Sequence, residues 1–309
     1  MIDSKLKLFL LCAIFFCCKQ NKISVNNSFT YLSSGYYENV YLADSLFIEG
    51  EFKKSYEILK GTFKKQPPIN MDIYYEYETY LSSAVELGKS EFLCDELKSL
   101  ISNYGYNEYR ISNNPNIDKL LDSCPEVKRN IKKLYEEFKS KIKLSLRNEL
   151  LGMAKNDQKF RQKGKYQDNI IEQERIDEIN TKRIIEIFEK FGYPNQKLVG
   201  DYFVDEKHLI FKGMLLHTND SIRREYFIPK LLEFIKKGEC NPLVYATIVD
   251  QLNLYNGNQQ LFGTYSNNNI YNFKKIDSTR KSIGLPKYGY ENWRVKKLYG
   301  HIDFQKIND

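Results

Sequence analysis

Asp157, Gln158 and Arg161 sit at one- and three-residue steps, Asp177 and Asn180 three apart, and His217 stands alone further on. One histidine with several carboxylates and an arginine is the material of an acid–base site. In that reading His217 is the base, oriented by Asp157, Asp177 or Asp250. Arg161 and Gln260 would hold an oxyanion or a polar substrate group, with Gln158, Asn180 and Thr264 as further ligand contacts. Gly263 would let backbone approach the ligand. The same residues can instead be a buried hydrogen-bond network that locks helices to a loop, with His217 capping its own helix. The sequence favours the network, because the catalytic set is incomplete, and keeps the site as the alternative.

Helices must position these groups. Lys143 to Arg161 reads as a helix whose apolar face, Leu144, Leu150, Leu151 and Ala154, is continued by Asp157, Gln158 and Arg161. Polar residues on such a stripe need partners. Asn169 to Phe191 repeats the pattern: Ile184, Ile187, Phe188 and Phe191 lead back to Asn180 and Asp177. Gly192 and Pro194 stop it. A third helix is expected over Asp201 to His217. A fourth is capped by Thr218 to Ser221 and reaches Lys237, with a kink or break at Pro229. Asn241-Pro242 starts a fifth, carrying Val249 and Asp250. A loop around Gln260 to Thr264 follows, then a short helix from Asp277-Ser278 to Gly284. The tail from Lys287, with Trp293 and His301, shows little periodicity.

The ordered series Asp157-Gln158-x-x-Arg161, Asp177-x-x-Asn180, Gly192-Tyr193-Pro194 with Val199-Gly200, His217, Asp250, Gln260-x-Phe262-Gly263-Thr264 and Arg280-x-x-x-Gly284-Leu285 resembles a widespread bacterial domain family of unassigned function, over roughly Leu144 to Pro286. Gln251 stands where such a domain usually has arginine, and Phe262 where it has tyrosine. The first change removes a charge partner and weakens a catalytic role for Asp250. The resemblance implies no reaction.

Other chemistries lack their parts. There is no GxSxG elbow, no HExxH and no glycine-rich phosphate loop. His208 lies off the His217 face, and Glu172 and Glu174 read as a solvated face. Cys94, Cys124 and Cys240 have no CxxC spacing, so neither a metal nor a cofactor is expected. A Cys94–Cys124 disulfide and three separate buried thiols remain equally open.

The first half reads as paired helices. Gly50 between two helices, Ser55 where they cross, Leu59 one turn on and Pro67 at the end resemble a tetratricopeptide repeat. A poorer copy runs from Tyr80 to Leu87, turns at Gly88-Lys89 and continues from Phe92 to Ile101. The two glycines are 38 residues apart, with Gln66 to Asp72 as the extra length. Asp118 to Phe138 is expected to cap the stack with one or two helices. Such repeats offer a groove to a protein or peptide partner.

Leu8 to Cys18 is a charge-free apolar run after Lys5 and Lys7, too short for the roughly 20 residues of a membrane span. Ending in cysteine, it reads as a lipoprotein signal with Cys18 as lipid acceptor. A bacterial envelope lipoprotein, membrane-anchored and facing the periplasm, is therefore expected, acting as a protein-binding or scaffolding module, with a hydrolase-like enzyme or small-ligand binder built on His217, Asp157, Asp177 and Arg161 as the alternative. The 309 residues carry 47 basic and 40 acidic side chains, a net charge of +7 without a basic stripe, so nucleic acid is not an expected partner. The expected fold is mainly α. A signal (1–18) and a tether (19–28) precede a tetratricopeptide-like region (29–140) and an α-helical bundle domain with a loop-rich end (141–309).

Overall fold

Gly50 takes a left-handed backbone (φ 79°), which turns the chain between α1 (Tyr36–Ile48) and α2 (Phe52–Phe63). The computed structural model describes residues 30–300 except 73, 91–92, 162–164, 206 and 266–268. The expected signal and its Cys18 lie outside the described residues, as does His301. The fold is mainly helical.

Ser55 is fully buried at the crossing of α1 and α2, and its hydroxyl donates to the Ala43 carbonyl at 2.8 Å. From α3 (Glu76–Glu86), the Ser83 hydroxyl donates to Ser55 Oγ at 3.2 Å, so one small-residue node joins three helices. The extra length before α3 is held by Glu76. Its buried carboxylate accepts from Tyr36 Oη (2.7 Å), Asn70 N (2.5 Å) and Met71 N (2.8 Å). That anchor starts α3 four residues earlier than the apolar spacing predicts. After Gly88 comes α4 (Cys94–Tyr104), followed by α5 (Glu108–Ser112), α6 (Pro115–Asp122) and α7 (Pro125–Lys141), which packs on α4.

Cys94 and Cys124 form a disulfide that ties the start of α4 to the turn before α7, and Cys240 is a buried free thiol. The bridge closes a loop with a sequence separation of 30. Chain-entropy arguments put its contribution at about 3–4 kcal/mol. Reduction should lower the urea midpoint accordingly, and the Cys94→Ala/Cys124→Ala variant should match the reduced protein.

The second half begins with α8 (Leu144–Asp157), which ends four residues before the expected Arg161. The Arg161 guanidinium, in place of a further backbone N–H, donates to the Asp157 carbonyl at 2.6 Å. Next come α9 (Ile170–Phe191) and the short α10 (Gln196–Val199). The helix expected over Asp201 to His217 is corrected. Residues Phe203–Val204 (β1) and Lys207–His208 (β2) pair as an antiparallel hairpin, and only α11 (Phe211–Leu216) is helical. Arg147 is the physical reason. From α8 its buried guanidinium donates to the carbonyls of Val199, Asp201, Tyr202 and Lys207, groups that a helix would have claimed for itself. Burial lowers the Arg147 pKa.

Past α12 (Asp220–Ile222), a π turn at Arg223–Phe227 leads into α13 (Ile228–Lys237). Pro229 sits in the first turn of α13, so the break expected there appears as a widened turn just upstream. α14 (Pro242–Tyr255) follows its Asn241 cap as expected, then α15 (Ile276–Lys281). The tail forms one more helix, α16 (Tyr290–Tyr299), that its weak periodicity did not announce.

The halves share one continuous core. Tyr37 Oη donates to the Ile235 carbonyl at 2.7 Å, and Gln196 Nε2 to the Tyr104 carbonyl at 2.7 Å. α16 returns to α1, where Tyr290 Oη (2.6 Å) and Arg294 Nε (2.8 Å) both donate to the buried Asp44 carboxylate.

Candidate functional site

Three elements meet at Asp157: the last turn of α8, the first half of α9 and the end of α11. Asp157 is only 2% exposed. Its oxygens lie 2.9 and 3.0 Å from His217 Nδ1, and Oδ2 also accepts from Gln158 Nε2 at 2.6 Å. Arg161 extends from the Asp157 carbonyl to Asp177, where Nη2 donates to Oδ2 at 2.5 Å. Thus Asp157, Gln158, Arg161, Asp177 and His217 do converge. Asp157 is the carboxylate that orients the histidine, and Asp177 serves the arginine instead.

His217 is the C-cap residue of α11, and its side chain is 26% exposed. A carboxylate only accepts, so the shared proton belongs on Nδ1 and the neutral ring leaves Nε2 as a bare acceptor. Nε2 has no partner among the described residues. Below the ring, Arg223 on the π turn donates to the Leu216 carbonyl at 2.7 Å, the Thr218 carbonyl at 2.6 Å and Gln251 Oε1 at 2.9 Å. Burial lowers the Arg223 pKa. This guanidinium fixes the backbone on both sides of His217. It reaches Gln251, so at that point of α14 an amide acceptor meets an arginine supplied by another element.

Comparison with known proteins returns no match among family models, curated proteins or solved structures. The chemistry therefore rests on this chain's own geometry.

The remaining predicted residues are placed elsewhere. Asn180 points to α8, its Nδ2 lying 3.5 Å from the Met153 carbonyl, and does not touch His217. Asp250 is fully buried and organises the following loop. Oδ1 accepts from Leu261 N (2.7 Å) and Phe262 N (3.0 Å), and Oδ2 from Thr264 N and Oγ1 (both 2.9 Å). Its acceptor positions are taken, which corrects the option that it orients His217. Gln260 Nε2 donates to the Tyr265 carbonyl at 3.2 Å while its Oε1 accepts from Tyr265 N at 2.7 Å. Gly263 is required by packing. Its φ is 65°, and an added Cβ would come within 2.6 Å of the Tyr288 ring. Ligand approach is not what demands a glycine there. Arg280 closes this loop by donating to the carbonyls of Phe262 (2.8 Å) and Pro286 (2.7 Å).

One member of the His217 cluster was missed. Gln173 is fully buried, and its Nε2 donates to the Asp157 carbonyl and to Asp177 Oδ1, both at 3.0 Å. It also accepts from Phe160 N at 3.2 Å. The signal was available, because Gln173 lies one turn before Asp177 on the stripe that carries Asn180 and Ile184.

A second polar group lies where the halves meet. Arg110 pairs with Asp201 and, at 3.2 Å, with Glu78, and its guanidinium stacks 3.8 Å from the Tyr75 ring centre. Beside Asp201, at a concavity, Asp72 is exposed. Desolvation there, and then the Asp201 charge, push its pKa up to about 7, against the pull of Arg110. A carboxyl raised in the folded state favours folding while protonated, and that advantage is lost as pH rises through about 7. Asp72→Asn should therefore gain in Tm over the native protein between pH 5 and pH 8. Equal differences at both pH values would contradict a carboxyl raised to about 7.

Proposed function

We propose that this chain is an exported envelope protein, tethered through Cys18, whose second half uses His217 as a general base or ligand acceptor in a hydrolase-like site. One observation carries the reading: a buried carboxylate holds Nδ1 of a partly exposed histidine, while its other ring nitrogen is left without a partner. Asp157 orients the ring and stabilises the imidazolium formed when Nε2 takes a proton. Gln158, Gln173 and Arg161 hold Asp157 and Asp177 in place, which makes them positioning residues.

The test uses His217→Asn, whose amide can still donate to Asp157, so that loss of the base is separated from loss of the fold. Chromogenic esters, phosphoesters, amides and glycosides form the substrate panel. The expected result is turnover by the native protein that disappears in His217→Asn while Tm is kept. Turnover equal in both proteins, or absent throughout, overturns the enzymatic reading.

A second reading, capture of a protein or peptide by the helical region, draws on a concavity of about 800 Å³ between α5, α7 and the hairpin. Tyr109, Tyr135, Tyr202 and Phe203 line it, and Tyr109 is largely exposed. Such aromatic surface suits a peptide.

A further inference from the structure

A different cavity, of about 490 Å³, opens between the 69–72 segment, the stretch around α10, the start of α11 and the residues leading into α14. That volume is in the range of small-ligand sites. Two polar side-chain groups in it lack partners, and a carboxyl pair lies beside one of them. Lys212, half-buried on α11, makes no hydrogen bond or ion pair among the described residues. Burial lowers its pKa, and no neighbouring carboxylate offsets the loss of water. Asn70 is 3% exposed with a left-handed backbone (φ 60°), and its Oδ1 has no partner. A strained, buried acceptor of this kind marks a place where a donor belongs. The Asp72–Asp201 carboxyl pair lines the same cavity as Asn70. Arg110 pairs with Asp201, and Asp72 is the exposed carboxyl of the two at this cavity. Tyr193 and Phe211 supply apolar wall between these polar groups.

Lys197 and Glu239 line the cavity as well; a lysine without a counter-ion and a corner of acceptors and carboxyls suit the two ends of one kind of molecule. We propose that this cavity binds a small zwitterion, a free amino acid or a short peptide, with its carboxylate on Lys212 and its ammonium among Asp72, Asp201 and Asn70 Oδ1. The carboxylate gives Lys212 a counter-ion that the protein does not supply. The ammonium supplies the donor that Asn70 lacks and a positive charge for the carboxyl pair. This site is separate from His217, which stands at the opposite end of α11 and faces Asp157.

Calorimetric titration of the full-length protein with leucine, Ala-Leu and Ala-Ala-Leu tests the proposal and separates amino acid from peptide by the span between the charged ends. Saturable binding of at least one probe is expected. Converting that probe to its C-terminal amide, or acetylating its amine, should each weaken it by about tenfold or more, the value of a lost charge-assisted hydrogen bond. Lys212→Met should weaken the free probe by a similar factor and no longer distinguish acid from amide. If that variant fails to fold, the two blocked probes on native protein decide the matter alone. Absence of saturable binding by all three probes, or equal affinity for free and blocked forms, overturns the proposal.

Discussion

Asp250→Ala is expected to cost about 3–5 kcal/mol of stability, the scale of breaking a buried charged network from one side. The fully buried carboxylate accepts four bonds, three from backbone N–H groups and one from the Thr264 hydroxyl. Removing it leaves those donors facing a void that water cannot easily reach. Asp250→Asn should cost less, roughly 1–3 kcal/mol, because one oxygen remains while an amide N–H then opposes Thr264 N. Urea unfolding at constant m-value measures both losses. Hydrogen exchange gives the local check: the amides of Leu261, Phe262 and Thr264 should lose protection in Asp250→Ala. Unchanged protection there would mean that the loop does not depend on this carboxylate.

The second large effect concerns the histidine proton. Native His217 is expected to carry it on Nδ1, leaving Nε2 bare, as the contacts of 2.9 and 3.0 Å to Asp157 require. Nitrogen-15 NMR reads the tautomer directly, and a chain with three histidines makes assignment short. Asp157→Asn offers an amide N–H in place of a carboxylate oxygen, so the proton should move to Nε2. Any His217-dependent turnover should then fall roughly 10²–10⁴-fold, the usual worth of a positioned general base. A native ring protonated on Nε2 would remove the base from the proposed mechanism.

Much of the His217 cluster could be read from periodicity, because Asp157, Arg161 and Asp177 interrupt apolar stripes where a polar residue must find a partner. Gln173 belonged to that stripe as well. The loop at Gln260 to Thr264 was legible as a special place but not as to its purpose. The same residues suit a ligand-facing turn or a turn wrapped around a buried carboxylate, and only the direction of Asp250 separates them. The hairpin at 203–208 was hidden for another reason. The Lys207 carbonyl within it and the Asp201 and Tyr202 carbonyls just before it are satisfied by Arg147, more than 50 positions earlier, and local pattern holds no record of such a distant donor. Arg223, which braces the backbone around His217, was unreadable likewise. α16 is a case of tertiary packing stabilising a segment whose own apolar spacing is weak.

The return of α16 to α1 has a consequence for the chain's synthesis. Asp44 is the first buried charge along the described chain, yet its cation, Arg294, lies 250 residues later. A copy that terminates early, or loses its end to a protease, has a first helix with an unneutralised carboxylate facing its own core. Such a copy is flawed at the end opposite the damage. The fold in effect proofreads its own completeness, and quality-control proteases would find truncated molecules open at their beginning.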